Sequence, residues 1–157
     1  MTNNELSKVK EAIEQVTTMI LEDWGMMLVD QADSNINIFS NNENFLVSMV
    51  RFKGIVNGQY SIVCQKEFAS SLAKNVLGLD EEPAEQDQKD ALKEMANVLC
   101  GNMLTECYGD EEVFDLTPPE IAEFKPNEIK KYFDERTVCC LADDAPVAAT
   151  FSIDISE

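Results

Sequence analysis

The chain has 157 residues, 45% hydrophobic and 27% charged, which suits one globular domain and argues against disorder or a fibre. Thirty acids against twelve cations leave a net charge of -18, a field that repels nucleic-acid phosphates and anionic membrane surfaces. Histidine is absent, which excludes catalysis built on imidazole, and five cysteines without Cys-x-x-Cys spacing read as reduced core thiols, not zinc ligands.

Leu6, Val9, Ile13, Val16 and Ile20 recur at spacings of three and four and predict a helix over residues 4–23, with Gly25 just past its end. The same stretch carries Glu5, Lys8, Lys10, Glu11, Glu14 and Glu22, so it lacks the apolar centre of a secretion signal. No run reaches the ~20 apolar residues of a membrane helix. The expectation is a cytoplasmic protein.

Residues 26–29 and 36–39 read as short strands. Residues 45–56 and 59–64 flank Asn57-Gly58. That pattern predicts two antiparallel strands joined by a tight turn with positive φ at both central residues. Residues 66–77 predict a second helix with Phe68, Leu72 and Val76 in register and Gly78 as its C-terminal cap. An acidic link over 79–86, containing Pro83, leads to a third helix over 87–107 that Asp87 would cap.

Residues 113–116 look extended, and Pro118-Pro119 forces non-helical backbone. Residues 127–134 suggest a short helix, and 137–141 with 146–155 a final hairpin around Asp143-Asp144. In its last strand Val147, Ala149, Phe151, Ile153 and Ile155 alternate with Ala148, Thr150, Ser152, Asp154 and Ser156, a pattern of one buried and one wet face. Together these predict an α+β fold of two layers: a largely antiparallel β-sheet with long helices packed on one face, a single domain over 1–157.

The third helix carries the chemical signal. With Leu92 set at zero, Met95, Ala96, Leu99 and Met103 fall within about 60° and form the buried stripe. Asp90, Glu94, Asn97 and Gly101 fall at about 160°, 200°, 140° and 180°, a straight row on the opposite side. Glu94 and Asn97 are i and i+3, so a carboxylate and an amide meet on the surface. Gly101 would let another protein's backbone come close. A helical glycine costs about 1 kcal/mol relative to alanine, which asks for a reason. The residues alone leave two readings, a chemical site or an ordinary solvated face. Asp143-Asp144 and Glu81-Glu82 would be the material of an acid-only metal site, but they sit in predicted turns and look solvated.

The stretch Asp90-Ala-Leu-Lys-Glu94-Met-Ala-Asn97-Val-Leu-Cys-Gly101-Asn resembles the signature helix of the CheX, CheC and FliY response-regulator phosphatases, CheX above all. The segments 69–78, ending in Leu-Gly, and 114–119, ending in Pro-Pro, resemble the family's flanking segments. The resemblance implies a chemotaxis-type phosphatase acting on a phosphorylated CheY-like receiver domain. It implies that Asn97 holds a water in line with the phosphoryl group and that Glu94 pairs with the partner's lysine. Gly101 would serve partner docking, and Asp90 would add charge to the docking rim or, as a first-turn residue of a helix capped by Asp87, favour the helix dipole. The receiver would supply Mg²⁺, and this chain would need no cofactor of its own. A homodimer is implied too. CheC-type relatives carry a second motif, and here Glu11 aligns with Glu94, but Glu14 stands in place of Asn97. The alternatives are an adaptor that binds and sequesters a receiver without hydrolysis, and, ranked lower, a flagellar structural component.

Overall fold

A computed structural model of the protein describes residues 2–154. The elements run α1 (Asn3–Asp23), β1 (Val29–Gln31), β2 (Phe45–Lys53), β3 (Gly58–Cys64), α2 (Lys66–Leu77) and α3 (Glu85–Tyr108). There follow β4 (Asp115–Leu116), β5 (Glu120–Phe124), β6 (Val138–Ala142) and β7 (Ala145–Ile153). Every strand pairing is antiparallel, and the class is the expected α+β arrangement. Among the described residues no helix is long and apolar enough to cross a membrane.

The sheet runs β1-β6-β7-β3-β2, with β4 and β5 sharing the outer side of β2. At its centre β3 pairs with β7, Gly58 opposite Ile153 through to Cys64 opposite Val147. Exchanging the half α1-β1-β2-β3 for the half α3-β5-β6-β7 reproduces this order, because the first strand of each half lies on the edge of the other. The long helices obey the same pseudo-twofold relation. Ile13, Val16, Thr17, Ile20 and Leu21 are buried on α1, as are Ala96, Leu99, Cys100, Met103 and Leu104 at the same spacings on α3.

The helices bury these stripes against one face of the sheet, over Val50, Phe52, Ile62, Val147 and Phe151. Tyr60 is the polar member of this core. It is fully buried, and its hydroxyl shares a 3.0 Å hydrogen bond with Thr17 Oγ1, which satisfies both groups. Loss of solvation pushes its pKa far above the ordinary phenol range.

The second face of the sheet is covered as well, contrary to the wet face expected of the last strand. Phe39, Phe45, Val47, Val63, Ile129, Cys139 and Ala148 form a smaller cluster there. Its lid comes from 3-10 turns at Ile36–Ile38 and Pro126–Tyr132, where a strand and a helix were expected. The first of these turns is fixed by the Asn35 side chain, which accepts from the Asn37 N–H at 2.9 Å. Thr150 is buried against Thr137, their hydroxyls 2.8 Å apart. Ile155 and Ser156, the end of the predicted alternation, lie outside the described residues.

Two turns exchange their expected chemistry. Positive φ occurs at Asp143 (48°) and Asp144 (67°), between β6 and β7, and not at Asn57-Gly58. Gly58 is a strand residue paired with Phe52. It is glycine because a Cβ there would lie 2.1 Å from the Ser152 carbonyl oxygen. Asp143 earns its place by side-chain bonding: its carboxylate accepts from Leu28 N–H at 2.9 Å and from Asn75 Nδ2 at 3.3 Å. After α1 the left-handed residue is Met26 (φ 53), not Gly25, and β1 starts at Val29. Gly78 caps α2 in the left-handed region as expected.

Candidate functional site

α3 begins at Glu85, two residues before the expected cap. The link ahead of it is pinned by Glu82, whose carboxylate accepts from Ser70 Oγ at 2.9 Å and Gln88 Nε2 at 3.2 Å. Gln88 Nε2 also donates to the Pro83 carbonyl at 3.0 Å. These bonds place the chain reversal at Ala84, the residue before the first turn, so Asp87 lies inside that turn beside Glu85. Both carboxylates then sit at the positive end of the helix dipole. Asp90 falls in the second turn, not the first, and accepts from Gln86 Nε2 at 2.8 Å.

Beyond that start, the helix faces divide as the 100° arithmetic predicts. Leu92, Met95, Ala96, Leu99 and Met103 are all at most 1% exposed. Asp90 and Glu94 are exposed, and Asn97 and Gly101 are half-buried. No neighbouring segment covers the row at Gly101, where an added Cβ would meet nothing within 4 Å.

The side-chain bonds along α3 go elsewhere. Lys89 pairs with Glu85 at 3.2 Å, Asn102 Nδ2 donates to the Val98 carbonyl at 2.8 Å, and Thr105 Oγ1 donates to the Gly101 carbonyl at 3.2 Å. Among the described residues none of these bonds takes up Glu94, Asn97 or Lys93. Lys93, half-buried beside the row, is the residue that the sequence reading passed over. Its signal is helix-wide and not local: it is the one basic residue on this helix after Lys89.

Such an arrangement presents an anion and an amide with both donor and acceptor to whatever lies above the helix. It has no walls of its own, so it excludes water only when a second surface closes over it. A hollow of about 950 Å³ is lined by Lys66, Ser70, Lys74, Glu82, Gln88 and Lys89 among others. It includes none of Glu94, Asn97 and Gly101.

The pseudo-twofold relation sets α1 against α3 in the register that the sequence alignment uses. Matching Ile13 to Ala96 and Leu21 to Leu104 puts Glu11 at the place of Glu94, Glu14 at that of Asn97 and Thr18 at that of Gly101. The α1 face therefore lacks both the amide and the gap.

Of the other candidate groups, Cys107 is an exposed thiol, Glu81 and Asp144 are exposed acids, and the rest are bonded or buried. Asp143 and Glu82 hold the hydrogen bonds given above, and among the described residues no group of three or more acids or cysteines is placed to hold a metal ion. Cys64, Cys100, Cys139 and Cys140 are buried thiols. Burial pushes Cys100 and Cys140 up to about 12, which keeps them protonated and unreactive at neutral pH.

The family model described as chemotaxis phosphatase CheX matches residues 46–142, which include β2 from its second residue, β3, α2 and all of α3. No curated protein matches the chain in sequence. Among solved structures, a chemotaxis protein CheX from Desulfovibrio desulfuricans superposes with a TM-score of 0.66 at 16% identity, covering 94% of this chain and 99% of that one. A CheX-CheY-BeF3-Mg complex from Borrelia burgdorferi gives 0.63 at 18%, covering 92% and 97%. FliY from Thermotoga maritima gives 0.61 at 15%, covering 95% and 90%. At these identities the superpositions speak for the fold.

Proposed function

Because the chain belongs to the chemotaxis phosphatase CheX family, we propose that it hydrolyses the aspartyl phosphate of a CheY-like receiver domain. The observation that carries this reading is the outward row on α3. Glu94 and Asn97 stand one turn apart with free side chains, and the space over Gly101 is open. The Borrelia neighbour was solved with CheY, BeF3 and Mg, which supports a receiver as the occupant of that space.

In the proposed reaction the receiver docks over α3 and supplies the metal and the phosphoaspartate. Asn97 inserts its amide beside the phosphoryl group and holds a water in line. The water oxygen forms a bond to phosphorus, and the bond from phosphorus to the aspartyl oxygen breaks. The aspartate leaves as a carboxylate and inorganic phosphate departs. Phosphoryl transfer is mainly positioning and charge stabilisation, so no general base is asked of a chain without histidine. Glu94 pairs with a receiver lysine and sets the register of docking, with Asp90 at the rim and Gly101 as the point of close approach. Such a reaction belongs in the cytoplasm with its receiver.

Decay of a purified phosphoreceiver, with and without the protein, tests this. Asn97→Ala should abolish the acceleration while binding survives, and Glu94→Ala should weaken binding. Binding by the wild type with no acceleration would leave only an adaptor.

A further inference from the structure

We propose that Lys93 is a further catalytic residue of this site, its ammonium neutralising the phosphoryl oxygens beside Asn97. The inference rests on the phosphatase reading above and adds a charged group to it. In phosphoryl transfer the charge of the transition state spreads over three equatorial oxygens, and stabilising it is most of the catalysis. The outward row offers the opposite sign. Asp90 and Glu94 are carboxylates, on a chain of net charge -18. A phosphoryl group that approaches Asn97 meets repulsion from this side unless a cation on the helix answers it.

From Asp90 to Tyr108 the helix carries one basic residue, Lys93. It precedes Asn97 by four positions, about 40° around the helix, on the same ridge. Their Cβ atoms are thus roughly 6 Å apart, close enough for an ammonium and an amide to donate to one phosphoryl group above the helix. Lys93 is half-buried, the state of a lysine whose stem lies along the helix while its head stays in water.

Its charge is also uncommitted. Lys89, one turn earlier, is held by Glu85 at 3.2 Å. Asp90, three positions before Lys93, is the acid within its reach, but that carboxylate accepts from Gln86 at 2.8 Å, and the neighbours four positions away are Lys89 and Asn97. Among the described residues it forms none of the ion pairs, which go to Arg51, Lys74, Lys89 and Arg136.

The fold supplies an internal control. In the pseudo-twofold register Lys10 stands on α1 where Lys93 stands on α3, again next to a glutamate and again half-buried. Lys10 has no amide beside it, because Glu14 occupies that place. Loss of a positive charge in general would act equally at both positions, whereas a catalytic contact exists only at Lys93.

The test uses a CheY-type receiver domain phosphorylated with acetyl phosphate and freed of the reagent. Phosphate release is followed over a range of receiver concentrations with the wild type, Lys93→Gln, Lys93→Arg and Lys10→Gln. Lys93→Gln is expected to lower the saturating rate about a hundredfold to a thousandfold, the effect of removing one donor aimed at developing charge. Affinity for the beryllofluoride-loaded receiver should change less than about threefold, because the contact strengthens only in the transition state. Lys93→Arg should restore most of the rate, and Lys10→Gln should match the wild type. A Lys93→Gln rate within about twofold of wild type overturns the proposal and leaves the phosphatase reading intact. An equal loss in Lys10→Gln, or a loss confined to affinity, overturns it too. If the wild type itself leaves the decay unchanged, the phosphatase reading falls first and this proposal with it.

Discussion

Gly101→Ala should make the protein more stable, and Gly101→Leu should make it a worse partner for the receiver. Glycine inside a helix is less favourable than alanine by about 1 kcal/mol, through the backbone freedom it surrenders on folding. That gain is realised only if the new methyl group meets no obstacle, and an added Cβ at Gly101 finds nothing within 4 Å. For a chain of this length about 1 kcal/mol raises the melting temperature by roughly 2–4 °C. Leucine at the same place should keep most of that gain and project into the receiver's path. Asn97 lies about 6 Å along the helix axis, so the side chain falls inside the docking footprint. Overpacking a close contact costs about 1–3 kcal/mol, which weakens binding by roughly 5- to 150-fold. Thermal melts read the first effect, and titration against a beryllofluoride-loaded receiver the second. A Gly101→Ala protein that melts at or below the wild-type temperature would show that the space is not open. Undiminished binding and hydrolysis by Gly101→Leu would show that no partner comes near this turn.

Two further outcomes concern the core. Thr17→Val strands the Tyr60 hydroxyl in a dry interior and should cost about 1–3 kcal/mol, while adding Tyr60→Phe should recover much of it; urea midpoints decide, and an unchanged single variant would contradict the bond. Stability should also fall on the alkaline side. The Cys100 and Cys140 thiols titrate near 9.0 when unfolded and near 12 when folded, so the unfolded state releases its protons first. Their contribution is complete below the unfolded value and is lost as pH climbs from about 9 toward 12. Urea midpoints should be level from neutrality to about pH 9 and decline above it, and a midpoint still level at about pH 10.5 would refute the burial argument.

The sequence was legible where one period dominates over a long stretch. α1 and α2 and the stripe of α3 repeat every three to four residues, and the helices follow them almost to the residue. The candidate row was legible for the same reason, since helical geometry fixes which side chains share a face. The errors occur where tertiary contacts override local signals. Asn57-Gly58 is a strong hairpin signal, but Gly58 is needed inside β3 by the nearness of β7, so the chain turns earlier, over residues 53–57. Asp143-Asp144 lacks the expected glycine and adopts the left-handed pair because Leu28 and Asn75 hold the Asp143 carboxylate. β5 has no apolar alternation of its own and exists by pairing with β2. The start of α3 at Glu85 is not legible locally, because the bonds of Glu82 and Gln88 that set it join residues on different elements. Lys93 gives no local signal, because a lysine on an outer helix face looks like solvation.

The exchange of edge strands between the two halves bears on how this chain comes to exist. β1 is synthesised early, yet its partner β6 lies more than a hundred positions later, with Val29 facing Ala142. β2 likewise waits for β5 to flank it. A ribosome-bound chain can form α1 and the β2-β3 hairpin, but it cannot complete the sheet until β6 and β7 have emerged. Pairings so distant in sequence are slow to find and leave apolar strand faces bare in the meantime. Truncations within the final hairpin should therefore aggregate rather than yield a smaller folded protein, and the nascent chain is a natural client for chaperones.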